Sequence, residues 1–311
     1  MIKHLITGGC SFSHYTNSKE NWIGFLEDKL KSENESLTIE HTGFFSQGQE
    51  LIQKKVMLAV VDALESGLQP NEIMVVVMWS GTFRKAWYID NPTIIKQMTK
   101  LWHKFDGGMS SQFLDLKNKG SKHPSYFNTA CEDSTFEYNP KGGWYFTVNG
   151  SDSQIEFVQQ HYLLDGHMTG GIGKVHNSIE NIIMLQNFCK LNGVKFYQQF
   201  FMDSVFEDIE ENKNHQLINY LYKQLDLDNM IQIGMFEYLH TLLNMDRKES
   251  INITHDERLK LDKNTGYFSK DGFHPSKLGA ELWCKNILFP FLFNPSMDYE
   301  KENQYNSILQ M

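Results

Sequence analysis

The chain has 311 residues, of which 41% are hydrophobic and 13% aromatic, so it can bury a sizeable core and is not intrinsically disordered. Its formal net charge of −9 argues against a nucleic-acid partner, because such proteins need a field of Lys and Arg to displace counterions from phosphates. Neither a run of 18 apolar residues nor a signal-peptide pattern is present, so we expect no membrane association. Four scattered cysteines suggest neither a disulfide framework nor a zinc site. The default expectation is a protein of the reducing cytoplasm, with association with a virion left open.

Strand and helix patterns alternate through the first 80 residues. They predict strands at 2–7, 37–44 and 73–78, and helices at 19–31, with Ser18 as N-cap, and at 50–67. The third strand, IMVVVM, is a continuous apolar run of the kind found in strands buried on both faces. This alternation predicts an α/β fold, with a parallel sheet covered by helices.

The same pattern resumes in the second half of the chain. It predicts a helix at 175–192, a strand at 194–202 and a last helix that starts at Pro275 and carries an apolar stripe of Leu278, Leu282, Trp283 and Ile287.

Two segments interrupt this alternation, and a polar tail follows it. The aromatic and glycine-rich residues 85–172 are expected to be an insertion after the third strand, and residues 205–265 a helical excursion. We therefore predict one domain over residues 1–295 and a polar C-terminal tail at 296–311.

Two short motifs near the ends of the chain point to chemistry. Ser11 follows the first predicted strand in Gly-Gly-Cys-Ser-Phe-Ser, at the edge of the sheet where α/β folds place reactive groups. A serine needs a general base to act as a nucleophile at neutral pH. Near the other end, Asp271-Gly272-Phe273-His274 places a carboxylate three residues before a histidine, which it could orient.

Together these motifs resemble those of the SGNH (GDSL-type) hydrolases. The resemblance implies a three-layer α/β/α sandwich with a parallel, flavodoxin-like sheet and a serine esterase activity. It assigns Ser11 as the nucleophile, His274 as the general base and Asp271 as the residue that orients it. The oxyanion hole would use the backbone N–H groups of Ser11 and of Gly48, which follows the second strand.

The chain departs from the family pattern in two places. Cys10 replaces the aspartate of the first motif, which is not the nucleophile. In the third motif the family has G-x-N, whereas this chain has Gly81-Thr82-Phe83, so the asparagine that donates to the oxyanion is missing. Losing one such donor typically costs about a hundredfold to a thousandfold in rate, so an active enzyme would need a replacement. Thr82 is the first candidate, with Ser80 and Arg84 as alternatives.

The expected substrate is a small-molecule or glycan ester with a small acyl group, such as an acetate on a carbohydrate. Candidate substrate-binding residues are Trp79, Arg84 and Trp87, near the exit of the third strand. The aromatic residues of the insertion could form a platform for a sugar ring or its own small core. No cofactor and no metal are expected, because the twelve histidines show no recognised ligand spacing.

Three alternatives stay open at this stage. Cys10 could be the nucleophile in place of Ser11, since thiolates near helix N-termini are activated. The same triad could transfer an acyl group to an acceptor other than water. Finally, the missing asparagine and the insertion are compatible with a non-catalytic binding or structural module, because a fold does not determine a function.

Overall fold

The structure, a computed structural model, describes residues 1–13, 20–43, 47–81, 172–245 and 253–293, and the backbone of three further strands. Its centre is a five-stranded, all-parallel sheet in the order β2-β1-β3-β7-β8. The strands are β1 His4–Gly9, β2 Thr38–His41, β3 Ile73–Trp79, β4 Lys85–Ile89, β5 Ser110–Leu114, β6 Gly143–Val148, β7 Lys195–Phe200 and β8 Met230–Gly234. The predicted α/β class with a parallel sheet is confirmed.

The order of the strands locates a crevice. β1 lies between β2 and β3, with Leu5 opposite both Ile39 and Met74, and the chain then continues outward through β7 to β8. The direction of winding therefore reverses between β1 and β3. In such doubly wound sheets, ligands bind in the crevice outside the carboxyl ends of the strands at this reversal.

Helices connect the strands and follow the last one. They are α1 Trp22–Glu33, α2 Gln49–Glu65, α3 Ile172–Leu191, α4 Ser204–Glu211, α5 Gln216–Tyr222, α6 Met235–Leu242, α7 His255–Leu261, α8 Lys277–Trp283 and α9 Phe289–Phe293, with a π-helical turn over Cys284–Leu288. Within the described ranges, no helix is both long and apolar enough to cross a membrane.

The hydrophobic core has one part on each face of the sheet. Alternate residues of β1 and β3 point to opposite sides, so that Leu5 and Met74 pack with α1, α6 and α8, whereas Ile6 and Val75 pack with α2, α3 and α4. Burial on both faces explains the continuous apolar sequence of β3, which is fully buried. This arrangement is compatible with a three-layer sandwich.

Three details of the predicted helices are wrong. The N-cap of α1 is Asn21, whose Oδ1 accepts hydrogen bonds from the backbone N–H groups of Ile23 (3.0 Å) and Gly24 (3.1 Å); Ser18 lies outside the described residues. The last long helix does not start at Pro275, because the hydroxyl of Ser276 caps it by accepting from Gly279 N–H at 3.1 Å. Leu278 is also 43% exposed, so it does not belong to the buried stripe.

The predicted helical excursion at 205–265 is wrong in one respect. It contains β8, the edge strand of the main sheet, between short helices. The sequence Met-Ile-Gln-Ile-Gly is only five residues long and follows a polar segment, so its pattern alone does not separate a strand from a turn of helix. The excursion is therefore part of the central domain.

The predicted insertion after β3 contains strands of its own. β4, β5 and β6 form a separate antiparallel sheet in the order β4-β6-β5, with Tyr88 opposite Tyr145 and Gln112 also opposite Tyr145. The predicted tail at 296–311 lies outside the described residues.

Candidate active site

A short 3₁₀ helix over Ser11–Ser13 follows β1 at the carboxyl edge of the sheet. Gly9 makes this turn with a φ of 154°, a value that residues with side chains rarely adopt. A Cβ at Gly9 would also lie 2.8 Å from the carbonyl oxygen of Met78 and would collide with Ser13. The turn therefore requires glycine, and it leaves Ser11 half-buried while Cys10 and Phe12 point into the core.

The two serines of this turn have different surroundings. Ser13 is fully buried, and its Oγ accepts a hydrogen bond from the indole of Trp22 at 3.2 Å. The backbone of Gly43, after β2, packs so closely on Ser13 that a Cβ there would lie 2.5 Å from the Ser13 carbonyl oxygen. Ser13 is thus a structural residue, and Ser11 is the serine that reaches the surface.

The Asp271–His274 motif forms a tight, hairpin-like loop. Its two arms are joined by hydrogen bonds from Ser269 N–H to the His274 carbonyl (2.8 Å) and from Ser276 N–H to the Tyr267 carbonyl (2.8 Å). Gly272, at the tip, has a φ of 66°. This geometry brings the side chain of Asp271 back onto the backbone that follows it.

Asp271 and His274 form the hydrogen bond that the motif predicted. His274 Nδ1–H donates to Asp271 Oδ2 at 2.6 Å, while Asp271 Oδ1 accepts from Ser269 Oγ (2.6 Å) and from the backbone N–H groups of Phe273 (2.9 Å) and His274 (3.0 Å). Burial opposes ionisation of this carboxyl, but these donors outweigh it and hold the pKa of Asp271 well below its usual range. Asp271 is therefore an ionised acceptor that fixes the orientation of the imidazole.

The loop packs directly against the turn that carries Ser11. The ring of Phe12 lies 5.0 Å from that of His274 and 5.4 Å from that of Phe273, measured between centroids. The Nε2 atom of His274 is buried and has no hydrogen-bond partner among the residues that the structure describes, so it is not bonded to Ser11 Oγ in this structure. Motifs from opposite ends of the chain thus meet at one place, with a free imidazole nitrogen beside the serine turn.

The start of α2 carries Gly48, the residue predicted to contribute to the oxyanion hole. Gly48 is the N-cap residue of this 17-residue helix and is buried next to Gln47 and Gln49. The amide of Gln49 donates to the carbonyl of Ser80, just beyond β3, at 3.0 Å and so joins this helix to the neighbouring strand. A helix N-terminus at this edge favours negative charge.

The other candidate residues do not all join the site. Trp79, predicted to bind substrate, is fully buried in the core on the α2 face, where its indole donates to Gln198 Oε1 at 2.9 Å, so it is not accessible to a substrate in this structure. Ser80 is fully buried beside it. Thr82 and Arg84 lie outside the described residues, and of Trp87 only the backbone in β4 is described.

The structure also provides evidence on Cys10 as an alternative nucleophile and on a possible metal site. Cys10 is completely buried among core residues, which does not suit a nucleophile that must reach a substrate. In the described part of the chain, no three His, Cys, Asp or Glu side chains converge to hold a metal ion.

Sequence reasoning missed two residues behind the loop, Arg258 and His240. Arg258, in α7, donates through Nε to His240 Nε2 at 2.7 Å and through Nη1 to the carbonyl of Gly272. Both side chains are at least 97% buried. Neither stands in a motif, and only the three-dimensional fold brings them to the loop.

Comparison of the chain with models of protein families, with curated proteins and with solved structures gave no match.

Proposed function

We propose that this protein is a serine esterase of the SGNH type. The observation that carries the proposal is the Asp271–His274 pair at 2.6 Å, whose second imidazole nitrogen is buried, unbonded and next to the turn of Ser11. An orienting carboxylate, an imidazole with one free nitrogen and a half-buried serine are the parts that nucleophilic catalysis requires.

In the proposed reaction, Ser11 Oγ attacks the ester carbonyl while His274 Nε2 takes its proton. The ionised Asp271 keeps Nδ1 protonated and stabilises the imidazolium that forms. His274 then gives the proton to the leaving alcohol, and a water molecule, activated by the same imidazole, releases the acyl group from Ser11. The hydrogen bond between Ser11 and His274 would form when substrate binds, as catalytic hydrogen bonds often tighten only in the complex.

The oxyanion would be stabilised by the backbone N–H groups of Ser11 and Gly48. Gly48 begins α2, so the positive end of the helix dipole adds to the effect of the N–H group. Thr82 stays the proposed third donor in place of the missing asparagine.

We favour a small acyl group, such as acetate on a carbohydrate or another alcohol. His274 Nε2 is already enclosed, and the rings of Phe12 and Phe273 pack beside the imidazole. We expect rings packed this closely around the imidazole to disfavour a long acyl chain more than an acetyl group.

The first test is hydrolysis of p-nitrophenyl acetate together with labelling by a fluorophosphonate. We expect Ser11→Ala and His274→Ala to abolish both, and Asp271→Asn to lower kcat by about 10⁴-fold, because the amide favours the wrong imidazole tautomer. Cys10→Ala is the matched control and should keep both activities. Equal background rates and no labelling in the wild type and in Ser11→Ala would reject serine hydrolysis and favour the non-catalytic module.

Acyl transfer uses the same residues and is separated by its product. With added alcohols or sugars, a hydrolase releases free acid in a constant proportion to the chromogenic alcohol. A transferase would instead divert most of the acyl group to the added acceptor.

A further inference from the structure

A buried cation lies directly behind the Asp271–His274 loop. Arg258 is only 3% exposed, and its guanidinium carbon lies 4.7 Å from the centre of the Phe236 ring and 5.6 Å from that of Phe268. Every hydrogen bond that it makes within the described residues goes to a neutral acceptor. Burying a charge without a counter-ion is costly, and the aromatic faces offset only part of that cost. The hydrogen bonds of Arg258 therefore indicate the role for which this buried charge is kept.

One of these bonds fixes the guanidinium itself. His240 Nδ1–H donates to the carbonyl of Phe236 at 2.8 Å, which leaves Nε2 as an acceptor for Arg258 Nε at 2.7 Å. Burial lowers the pKa of His240 to about 4, so the imidazole is neutral near pH 7 and can accept this bond. Arg258 is thus held in one orientation by a neutral histidine.

The second bond reaches the proposed catalytic loop. Arg258 Nη1 donates to the carbonyl oxygen of Gly272. This carbonyl belongs to the same peptide group as the N–H of Phe273, which donates to Asp271 Oδ1 at 2.9 Å. Because a peptide group is planar and its C=O and N–H point in opposite directions, fixing one end aims the other.

We propose that Arg258, held by His240, is a positioning residue that fixes the Gly272–Phe273 peptide group and thereby the Asp271–His274 pair. The inference rests on the proposed function for its catalytic meaning. Arg258 acts through the peptide group, since its hydrogen bonds within the described residues go to His240, Gly272 and Ile253 and the donors that stabilise the ionised Asp271 come from the loop itself.

The test uses Arg258→Met, which removes the hydrogen bonds, and Arg258→Lys, which keeps the charge but cannot reproduce the planar pair of donors. We expect both variants to hydrolyse p-nitrophenyl acetate with kcat lowered about tenfold to a hundredfold and KM changed less than about threefold, because misplaced groups slow the chemical step. Gln186→Leu is the control for stability alone. It removes two partly buried hydrogen bonds, to Gln224 and Asp226, which lie before β8 and away from the Asp271–His274 loop. It should lower Tm and leave kcat unchanged.

Crystal structures of the two Arg258 variants provide a readout that does not depend on activity. We expect the Gly272–Phe273 peptide group to rotate and the distance from His274 Nδ1 to Asp271 Oδ2, 2.6 Å in the native protein, to increase beyond hydrogen-bonding range. A folded variant with an unchanged loop, or with an unchanged kcat, would overturn the inference. Absence of esterase activity in the wild-type protein would reject the proposed function. The conformation of the Asp271–His274 loop in the variant structures would then still show whether Arg258 positions it. Should Arg258→Met fail to fold, Arg258→Lys decides alone.

Discussion

At the scale of single residues, the candidate site depends on how the backbone turns at two glycines. Gly272 lets the loop fold back so that Asp271 reaches two N–H groups and the imidazole. Gly9 lets the chain leave β1 in a 3₁₀ turn that leaves Ser11 half-buried and Ser13 fully buried. The side chains with the proposed chemistry are therefore placed by neighbours that carry none.

Replacing Gly9 by alanine tests this dependence. The added Cβ would meet Ser13 and, at 2.8 Å, the carbonyl oxygen of Met78, in addition to the strain of its φ. We expect Gly9→Ala to lower the free energy of unfolding by about 3 kcal/mol and to reduce the proposed esterase activity in the fraction that stays folded.

Gly67 supplies the matched control for Gly9→Ala. It has a φ of 97° and no atom within 4 Å of an added Cβ, so Gly67→Ala carries the backbone strain without the collision. Urea unfolding should give a cost of about 1 kcal/mol and normal activity for this variant. Equal costs for the two substitutions would show that the contacts of Gly9 do not matter.

At the scale of elements, β7 carries two adjacent glutamines in a strand that is otherwise largely apolar. Because successive side chains point to opposite faces, each glutamine reaches a tryptophan in a different layer of the core. Gln198 Oε1 accepts from Trp79 at 2.9 Å, and Gln199 Oε1 accepts from Trp283 of α8 at 2.8 Å. These bonds satisfy both indole N–H groups inside the core and fix the helix that follows the Asp271–His274 loop.

Gln199→Met should therefore destabilise the protein although it makes the core more apolar. The buried N–H of Trp283 would lose its acceptor, which costs about 1–3 kcal/mol. A double-mutant cycle with Trp283→Phe, measured by urea unfolding, separates this term from the change in packing. Additive effects of the two substitutions would contradict a specific Gln199–Trp283 bond.

Much of the architecture could be predicted from the sequence because strong local patterns determine it. The β-branched run of β3 and the helices that end two residues before Gly67 and Gly193 were predicted to within a few residues. The five-residue strand β8 was missed, since its strand conformation depends on pairing with β7 and not on its own pattern.

The candidate site divides in a similar way. Ser11, Asp271 and His274 stand in short motifs, so they could be selected as candidates from the sequence. The Asp271–His274 hydrogen bond is present, and the catalytic roles stay a prediction. The burial of Trp79 could not be predicted, because its position at the end of a strand does not reveal whether its side chain points into the core or towards the crevice. Arg258 and His240 could not be found, because α6 and α7 bring them to Gly272 only in the folded chain.

At the scale of the whole molecule, the candidate site forms only where the first and last parts of the chain pack together. The π-helical turn after α8 extends this packing, since the thiol of Cys284 lies 3.5 Å from the carbonyl oxygen of Trp22 in α1. Phe12 joins the same core cluster as Phe268 and Trp283. Loss of this packing would separate Ser11 from His274, so activity and global stability should be lost together.

One buried histidine, His240, and one partly buried histidine, His41, connect this global stability to pH. Burial lowers the pKa of His240 to about 4, with Arg258 acting in the same direction, and burial lowers the pKa of His41 to about 4 against the opposing effect of Glu27. Both groups take up protons in the unfolded chain near pH 6.5 but in the folded protein only near pH 4. The stability that they contribute is therefore complete above about pH 6.5 and is lost as the pH falls towards 4. Glu40 opposes this trend, because burial and the charge of Asp62 raise its pKa to about 7, so that it protonates more readily in the folded state.

We expect the two histidines to outweigh Glu40, so that the free energy of unfolding decreases between pH 6.5 and 4.5. For His240 alone the full loss is on the order of 3 kcal/mol. Urea unfolding at several pH values measures the slope. His240→Gln should be less stable at pH 7, where it loses the bond to Arg258, but its stability should depend less on pH than that of the wild type. His215→Asn, at an exposed position, should keep the wild-type slope. A His240→Gln variant that retains the full pH dependence would show that this histidine is not a source of the acid sensitivity.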